Sequence, residues 1–419
     1  MVKNTTFSGF YKRTIKEKQA LIESVTGQAL DEGLVLKPDI ANQMIENYVL
    51  NYELPLGIAP HLTINHQDYL VPLVIEEPSV VAALSRAGQE FTSIETQYKD
   101  RFIVGQIVVN QIVDFEQAQA TILDHYDQLL DQAKLAYPSM VERGGGPQNL
   151  WTQIYRKENQ DFLTVYLSFD PCEAMGANAL NTVLESLAGI VESLTGGLVL
   201  MSILSNHSSD SLVRARVIKP IKELMTNLEE SHKLAKRICQ ATSYADVDIY
   251  RATTHNKGIM NGIDALALAT GNDWRAIEAA AHSFAGRGPG YQALTQWWIE
   301  GDCLLGEIEL PIPTATVGGT LSLHPLAQWS LDLLGRPSAK KLAEIMAAVG
   351  LMQNFAAIRA LVTDGIQKGH MRMQARSLAI QVGAKPKEVD TLVQDLSKLG
   401  KVDRNHARSL LKMMRASQS

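Results

Sequence analysis

Between residues 101 and 219 the sequence spells strand, helix, strand, strand, helix, strand, and that order leaves few folds open. "FIVGQIVVNQIV" is strand-like, "DFEQAQATILDHYDQLLDQAKLA" has helical periodicity, and "NLWTQIYRK" and "DFLTVYLSFD" read as two further strands. "EAMGANALNTVLESLAGIVESLTG" is again helical and "LVLMSILS" strand-like. A β-α-β-β-α-β series predicts a split βαβ sandwich of the ferredoxin-like kind. "GGGP" (144–147) is the loop in its middle, and one strand, "SLVRARVIK", is left over.

The flanking sequence is of another kind. "TIKEKQALIESV" and "PDIANQMIENYVL" predict helices, and residues 70–75 a short buried strand. Glu76, Glu77 and Pro78 end that strand, and Ser79 is placed to N-cap a helix over "SVVAALSRAG". From about Pro220 helices dominate, interrupted by strand and turn in "GDCLLGEIELPIPTATVGGT". Near the C-terminus, Val389, Leu392, Val393, Leu396 and Leu399 share one helical face, and Arg404, Arg408, Lys412 and Arg415 oppose the apolar side of the next helix. The fold class is α+β, in two or three domains for 419 residues.

Several function classes drop out. A net charge of -6 argues against a dedicated nucleic-acid binder. The most apolar stretch, "LAGIVESLTGGLVLMSILS", contains Glu192 and a Gly-Gly pair, which excludes a membrane span there, and the N-terminus carries no apolar signal region. A cytoplasmic, soluble protein is expected. Ten histidines form no HExxH and no cysteine pair has ligand spacing, so no metal site is expected. Cys172, Cys239 and Cys303 sit in no motif that would activate a thiolate.

Other chemistry survives. "GRGPG" (286–290) follows a helix and reads as a cap and turn. "EAMGAN" instead follows a strand and opens a helix, leaving backbone N–H groups and a positive helix end for a pyrophosphate. Lys257 lies in "HNKGIMNGIDALALAT", whose small and apolar neighbours leave little exposed helix face, so a buried lysine is expected. Taken singly, Asp273 reads as an N-cap, Glu77 as a turn carboxylate and His370 as a helix-end imidazole. Together, Glu77, Lys257, Asp273 and His370 supply what carbonyl reduction needs: an oxyanion partner, an acid, a second carboxylate and a leaving-group proton donor.

Four stretches together resemble the hydroxymethylglutaryl-coenzyme A reductases, especially the soluble bacterial class II enzymes. They are "LVIEEPSVVAA" (73–83), "EAMGANALNT" (173–182), "YRATTHNKGIMNGIDALALATGNDWRA" (250–276) and "GIQKGHM" (365–371), with "HPLAQ" (324–328) and "VGLMQN" (349–354) between. The resemblance implies a four-electron reduction of 3-hydroxy-3-methylglutaryl-CoA to mevalonate and CoA through mevaldehyde, with two hydrides from a nicotinamide. It implies that Glu77 protonates the mevaldehyde carbonyl, Lys257 holds the oxyanion, Asp273 hydrogen-bonds that lysine and His370 protonates the departing thiolate. Ser79, Arg251 and Asn261 would contact the substrate's carboxylate and hydroxyl.

The same resemblance implies a large substrate-binding domain (1–103 and 220–369), an inserted non-Rossmann dinucleotide domain (104–219) and a helical C-terminal flap (370–419). Glu173, Met175, Gly176, Asn178 and Tyr137 would contact the cofactor, with Glu173 standing where the family often has Asp. Lys134, Tyr137, Ser139 and Arg143 precede the triple glycine with Glu142 the only acid, which favours NADPH over NADH. A homodimer with the site at its interface, or a hexamer of three dimers, is implied. The competing readings are NADH-linked mevalonate oxidation, a non-catalytic CoA-binding relative, and a thiol-dependent acyl-CoA reductase.

Overall fold

The computed structural model describes residues 5–158, 160–319, 321–363, 365, 375–399 and 403–416. Helix α1 (Ile15–Thr26) begins at a capping box, in which the Thr14 side chain accepts from Glu17 N and Glu17 accepts from Thr14 N. α2 (Pro38–Met44) stops short of the helix expected through residue 50, and Val49, Leu50 and Tyr52 beyond it are exposed. A hairpin follows, β1 (Leu56–Ile64) and β2 (Gln67–Val74), of which only the second strand was expected. Asn65 and His66, both at positive φ (47° and 66°), make the two-residue turn. A bulge between Ala59 and Leu62 accommodates Pro60 within β1. α3 (Val80–Glu90) and β3 (Glu95–Tyr98) complete this part.

The next segment has the predicted order. β4 (Ile103–Asn110) is followed by α4 (Phe115–Asp124), α5 (Tyr126–Ala136) and the short α6 (Pro138–Glu142). Then come β5 (Gly146–Lys157), β6 (Gln160–Asp170), α7 (Ala177–Thr195) and β7 (Leu198–Ser205). The antiparallel sheet has the order β5-β6-β4-β7. Alternate residues of its central strands, among them Ile107, Val109, Val165 and Leu167, are buried with Ile122, Leu129, Leu180 and Leu184 of the helices. Gly105 lets α7 approach: a Cβ there would stand 2.4 Å from Leu184 Cδ1. The single helix expected over 114–136 is broken at His125, whose φ/ψ of -100°/17° departs from helix.

The left-over strand, β8 (Leu212–Pro220), belongs to a different sheet. α8 (Leu228–Val247), α9 (Ile249–Ala269) and α10 (Trp274–Ala285) lead to β9 (Thr295–Glu300) and β10 (Cys303–Pro311), and the second sheet runs β3-β8-β10-β9. α11 (Pro325–Leu333) then precedes α12 (Ala339–Val362). By length and composition α12 could cross a membrane, yet 72% of its most apolar window is buried, and it packs on α3, α9 and β8. Its Gly350 lies against Ile259 and Ile263 of α9, and its Gln353 and Val349 against Gly262. Three C-terminal helices, α13 (375–381), α14 (Pro386–Leu399) and α15 (Arg404–Ala416), share a core of Ala375, Ala379, Val389, Leu392, Leu396, Ala407 and Leu411. Arg404, Arg408, Lys412 and Arg415 are exposed, as the periodicity predicted; the side chain of Leu399 lies outside the described residues.

Candidate functional site

α3 and α9 both lean on α12, and between them opens a cavity of about 780 Å³, a volume typical of a small-molecule site. Each helix contributes a stripe at helical spacing: Ser79, Ala83 and Arg86 from the α3 side, Arg251, Thr254 and Gly258 from α9. Glu77, between β2 and α3, reaches across: its Oε2 accepts from Lys257 Nζ at 2.7 Å over 180 residues of sequence, and its Oε1 from Asn261 Nδ2 at 3.4 Å. Lys257 and Asn261 are one turn apart, so α9 offers both donors to one carboxylate. The lysine side chain is 60% exposed, which corrects the expectation of a buried one. Its helix buries Ile259, Met260 and Ile263 on the other face and turns the ammonium toward the open cavity.

Ser79 occupies the N-cap position of α3, but its side chain does not cap. The backbone there is left-handed (φ 85°, ψ -29°), a conformation that costs a non-glycine residue of order 1–3 kcal/mol and concentrates at functional sites. Arg251 lines the cavity, and burial holds its guanidinium pKa below the ordinary value.

Asp273 is elsewhere. It N-caps α10, accepting from Arg275 N at 3.1 Å and Ala276 N at 3.2 Å. The end of α9 at Ala269 lies about 18 Å along the axis from Lys257, at ~1.5 Å per residue. Asp273 follows that end and does not line the cavity, so one chain does not bring it to Lys257. His370 lies outside the described residues. The cavity wall includes Thr363 and Gly365, the latter the last described position before it.

The other expected site surrounds the start of α7. Gly176 is its N-cap residue in a left-handed conformation (φ 86°), and a Cβ there would come within 2.4 Å of Pro171. No side chain caps α7 and its first turn carries no acid, so its N–H groups suit a pyrophosphate. Met175 lines a small crevice with Ala177, Ser205 and Ala276, the last within the first turn of α10 beyond Asp273. Asn178 is exposed. Tyr137 is half-buried against the core of the β4–β7 unit. Glu173 Oε2 accepts from Thr316 Oγ1 at 2.9 Å and from Ala339 N at 2.7 Å, which ties the loop to the start of α12. Arg101, 4% exposed, adds bonds to the carbonyls of Cys172, Ala174 (2.9 Å) and Thr314.

Sequence reasoning missed Arg101, Arg86 and Gln353. Gln353 donates to Val80 O at 2.8 Å, fixing the first turn of α3 and hence the approach to Glu77. Its signal was the Gln353-Asn354 pair inside the apolar stretch 345–358 of the helix. Burial pushes the Cys172 and Cys239 thiols up, the wrong direction for a thiolate nucleophile.

Comparison with known proteins agrees along nearly the whole chain. The family model for hydroxymethylglutaryl-coenzyme A reductase matches residues 14–375. The 3-hydroxy-3-methylglutaryl-coenzyme A reductase of Archaeoglobus fulgidus is 41% identical over 97% of this chain and 94% of its own length. A probable enzyme of the same name from Borreliella burgdorferi is 34% identical over 90% of this chain and 88% of its own length. A solved structure of the Streptococcus pneumoniae reductase superposes with a TM-score of 0.83 at 42% identity, covering 97% of this chain and 99% of that one. A second, of the class II enzyme from that organism bound to NADPH in open conformations, has a TM-score of 0.82 at 42% identity, covering 85% of this chain and 100% of that one.

Proposed function

This chain belongs to the hydroxymethylglutaryl-coenzyme A reductase family and reduces 3-hydroxy-3-methylglutaryl-CoA to mevalonate and CoA; we propose that it does so in the cavity between α3 and α9. The observation that carries this reading is the Lys257–Glu77 pair at 2.7 Å on the cavity wall. A carbonyl placed beside Lys257 Nζ meets a fixed positive charge where its oxygen becomes negative during reduction. Glu77, an acceptor now, becomes a donor once protonated, and is placed to deliver that proton to the mevaldehyde oxygen. Asn261 holds the other carboxylate oxygen and so orients it. Ser79 and Arg251 border the same space and take the acyl hydroxyl and carboxylate.

NADPH is the reductant, and when bound it supplies the hydride for each half-reaction. The residues present fit such a group: the uncapped start of α7, the glycine at its N-cap and Met175 in the adjoining crevice form the cradle. Ser139 on α6 and Arg143 just after it precede the loop into β5, and Lys134 lies on α5, where it pairs with Asp131 at 3.2 Å; we assign these three to the 2′-phosphate side. Glu173 positions this cradle by anchoring it to α12 and Thr316.

The two halves of the chemistry stand apart in one chain. Glu77 and Lys257 meet at the middle of α9, while Asp273 and the Met175 crevice lie beyond its C-terminal end. We therefore assign the complete site to a homodimer in which Asp273 of the partner subunit and its α7 cradle meet the Lys257 cavity. His370 is assigned to protonation of the departing thiolate, in a C-terminal helical flap that follows the 1–103, 104–219 and 220–369 divisions.

The test is oxidation of NADPH and, separately, NADH by purified protein with and without the CoA thioester. Thioester-dependent oxidation of NADPH, lost in Lys257→Ala, is expected. Turnover that persists in Lys257→Ala removes the cavity from the chemistry, and a strong NADH preference removes the 2′-phosphate assignment.

A further inference from the structure

We propose that Arg86 is a second carboxylate-binding residue of this cavity, gripping the acyl group's free carboxylate together with Arg251; the proposal rests on the functional reading above. Among the described residues the wall holds four cations, Arg86, Arg251, Lys257 and Arg359, against two carboxylates, Glu77 and Glu90. Two of the cations are neutralised. Lys257 pairs with Glu77 at 2.7 Å, and Arg359 pairs with Glu90 and also donates to Leu224 O at 3.3 Å. The Arg86 and Arg251 side chains have no hydrogen bond or ion pair among the described residues, so the surplus positive charge of the cavity resides on these two.

They converge on one end of it. Gln353 bonds Val80 O near the start of α3 and Arg359 pairs with Glu90 at its end, so α3 and α12 run in the same sense. Asn354 meets His255 at 2.9 Å and Gly350 abuts Ile259 and Ile263, so α9 runs the opposite way. Moving along α12 from Asn354 toward Arg359 therefore means moving along α9 from Lys257 back to Arg251, and along α3 from Ser79 forward to Arg86. Arg251 is six residues from Lys257, about 9 Å along the axis at ~1.5 Å per residue, and Arg86 is offset from Ser79 by a similar rise.

A ligand whose thioester carbonyl sits at Lys257 must present an anion within a few bonds to meet both arginines. The acyl carboxylate does so; the phosphates of CoA lie beyond the whole pantetheine arm. Guanidinium groups grip carboxylates through paired N–H donors, and an exposed arginine such as Arg86 stays hydrated until the ligand arrives.

Mevalonate carries the carboxylate without the phosphates, and CoA the phosphates without the carboxylate. The experiment measures equilibrium binding of each, separately, to the full-length wild-type protein, Arg86→Gln and Arg86→Lys. The expected result is mevalonate affinity weakened about tenfold or more in Arg86→Gln, a smaller loss in Arg86→Lys, and CoA affinity unchanged in both. Wild-type affinity for mevalonate in Arg86→Gln overturns the proposal. So does a loss confined to CoA, which places Arg86 on the phosphates, or an equal loss of both ligands, which marks a general structural effect. A wild-type protein that turns over no thioester and binds neither ligand overturns the functional reading instead.

Discussion

Lys257 Nζ stands 2.7 Å from Glu77 Oε2, and this contact joins the middle of α9 to the loop before α3. Because the lysine is 60% exposed, the ion pair itself adds little to stability, of order 0–1 kcal/mol. Its value is chemical. Lys257→Ala is expected to lower the rate of thioester reduction about 10²–10³-fold with little change in unfolding midpoint. Glu77→Gln, which keeps the shape but cannot supply the proton, is expected to slow reduction of added mevaldehyde most. Steady-state rates on thioester and aldehyde, with denaturant melts of both variants, check this; a large stability loss in Lys257→Ala would make the contact structural.

Gly262, one residue beyond Asn261, marks where α9 and α12 touch. A Cβ there would meet Gln353 Cγ at 2.5 Å and Val349 Cγ1 at 2.8 Å. Gly262→Ala forces the helices apart and strains Gln353, whose bond to Val80 sets the first turn of α3. A destabilisation of about 1–3 kcal/mol is expected from such overpacking, together with reduced activity as Asn261 and Lys257 shift. Gly189→Ala on α7, where nothing lies within 4 Å of the new methyl, is the control. It is expected to be neutral or stabilising by about 0.5–1 kcal/mol. Equal melting midpoints for wild type and Gly262→Ala refute the packing argument.

The contrast between these two glycines shows where the sequence was legible. Alternation and helical periodicity are local, and they located the β4–β7 unit and the C-terminal amphipathic helices. β1 escaped because Pro60 and the bulge at His61 break its alternation, although the Asn65-His66 turn was a signal for a hairpin. β9 escaped because "TQWWIE" is short and its pairing with β10 is made beyond the range of pattern. Lys257 looked buried because glycine and alanine neighbours resemble core residues, whereas here Gly258 lies beside the cavity. Asp273 was grouped with Lys257 through family resemblance, and no single-chain pattern reveals that α9 holds them apart. Arg86 had no motif; its place follows only once three helices are packed.

Asp264 makes a prediction about pH. It points from α9 toward Glu278 on α10, with Oδ1 buried and unpartnered. Burial, then the Glu278 carboxylate, pushes the Asp264 pKa up to about 9 from 3.8. Burial also pushes Glu278 up, but bonds from His282 and Asp264 outweigh it and hold that carboxyl lower. The folded chain thus keeps a proton on Asp264 that the unfolded chain releases from about pH 4, so this group costs stability progressively as pH rises toward 9. Asp264→Asn keeps a donor toward Glu278 and removes the titration. It is expected to be more stable than wild type at pH 8, with the gain vanishing near pH 4. Denaturant midpoints that run parallel for the two proteins across this range would sink the assignment.

The separation of Asp273 from Lys257 can be tested by mixing two inactive proteins. If Asp273 serves the lysine of the other chain, both Lys257→Ala and Asp273→Asn homodimers are inactive. A heterodimer of the two has one site with both defects and one with neither. Co-expression in equal amounts with random pairing makes half the dimers mixed, and each has one working site of two, so about a quarter of wild-type activity returns. If Asp273 acts on the lysine of its own chain, every site carries a defect and mixing restores nothing. Asp273 also N-caps α10 through Arg275 and Ala276, and Asn preserves that role, which keeps the variant folded. Measured activity near one quarter places the catalytic centre between subunits; activity at the level of the separate variants confines it to one chain, and α9 would then have to rearrange for the two groups to meet.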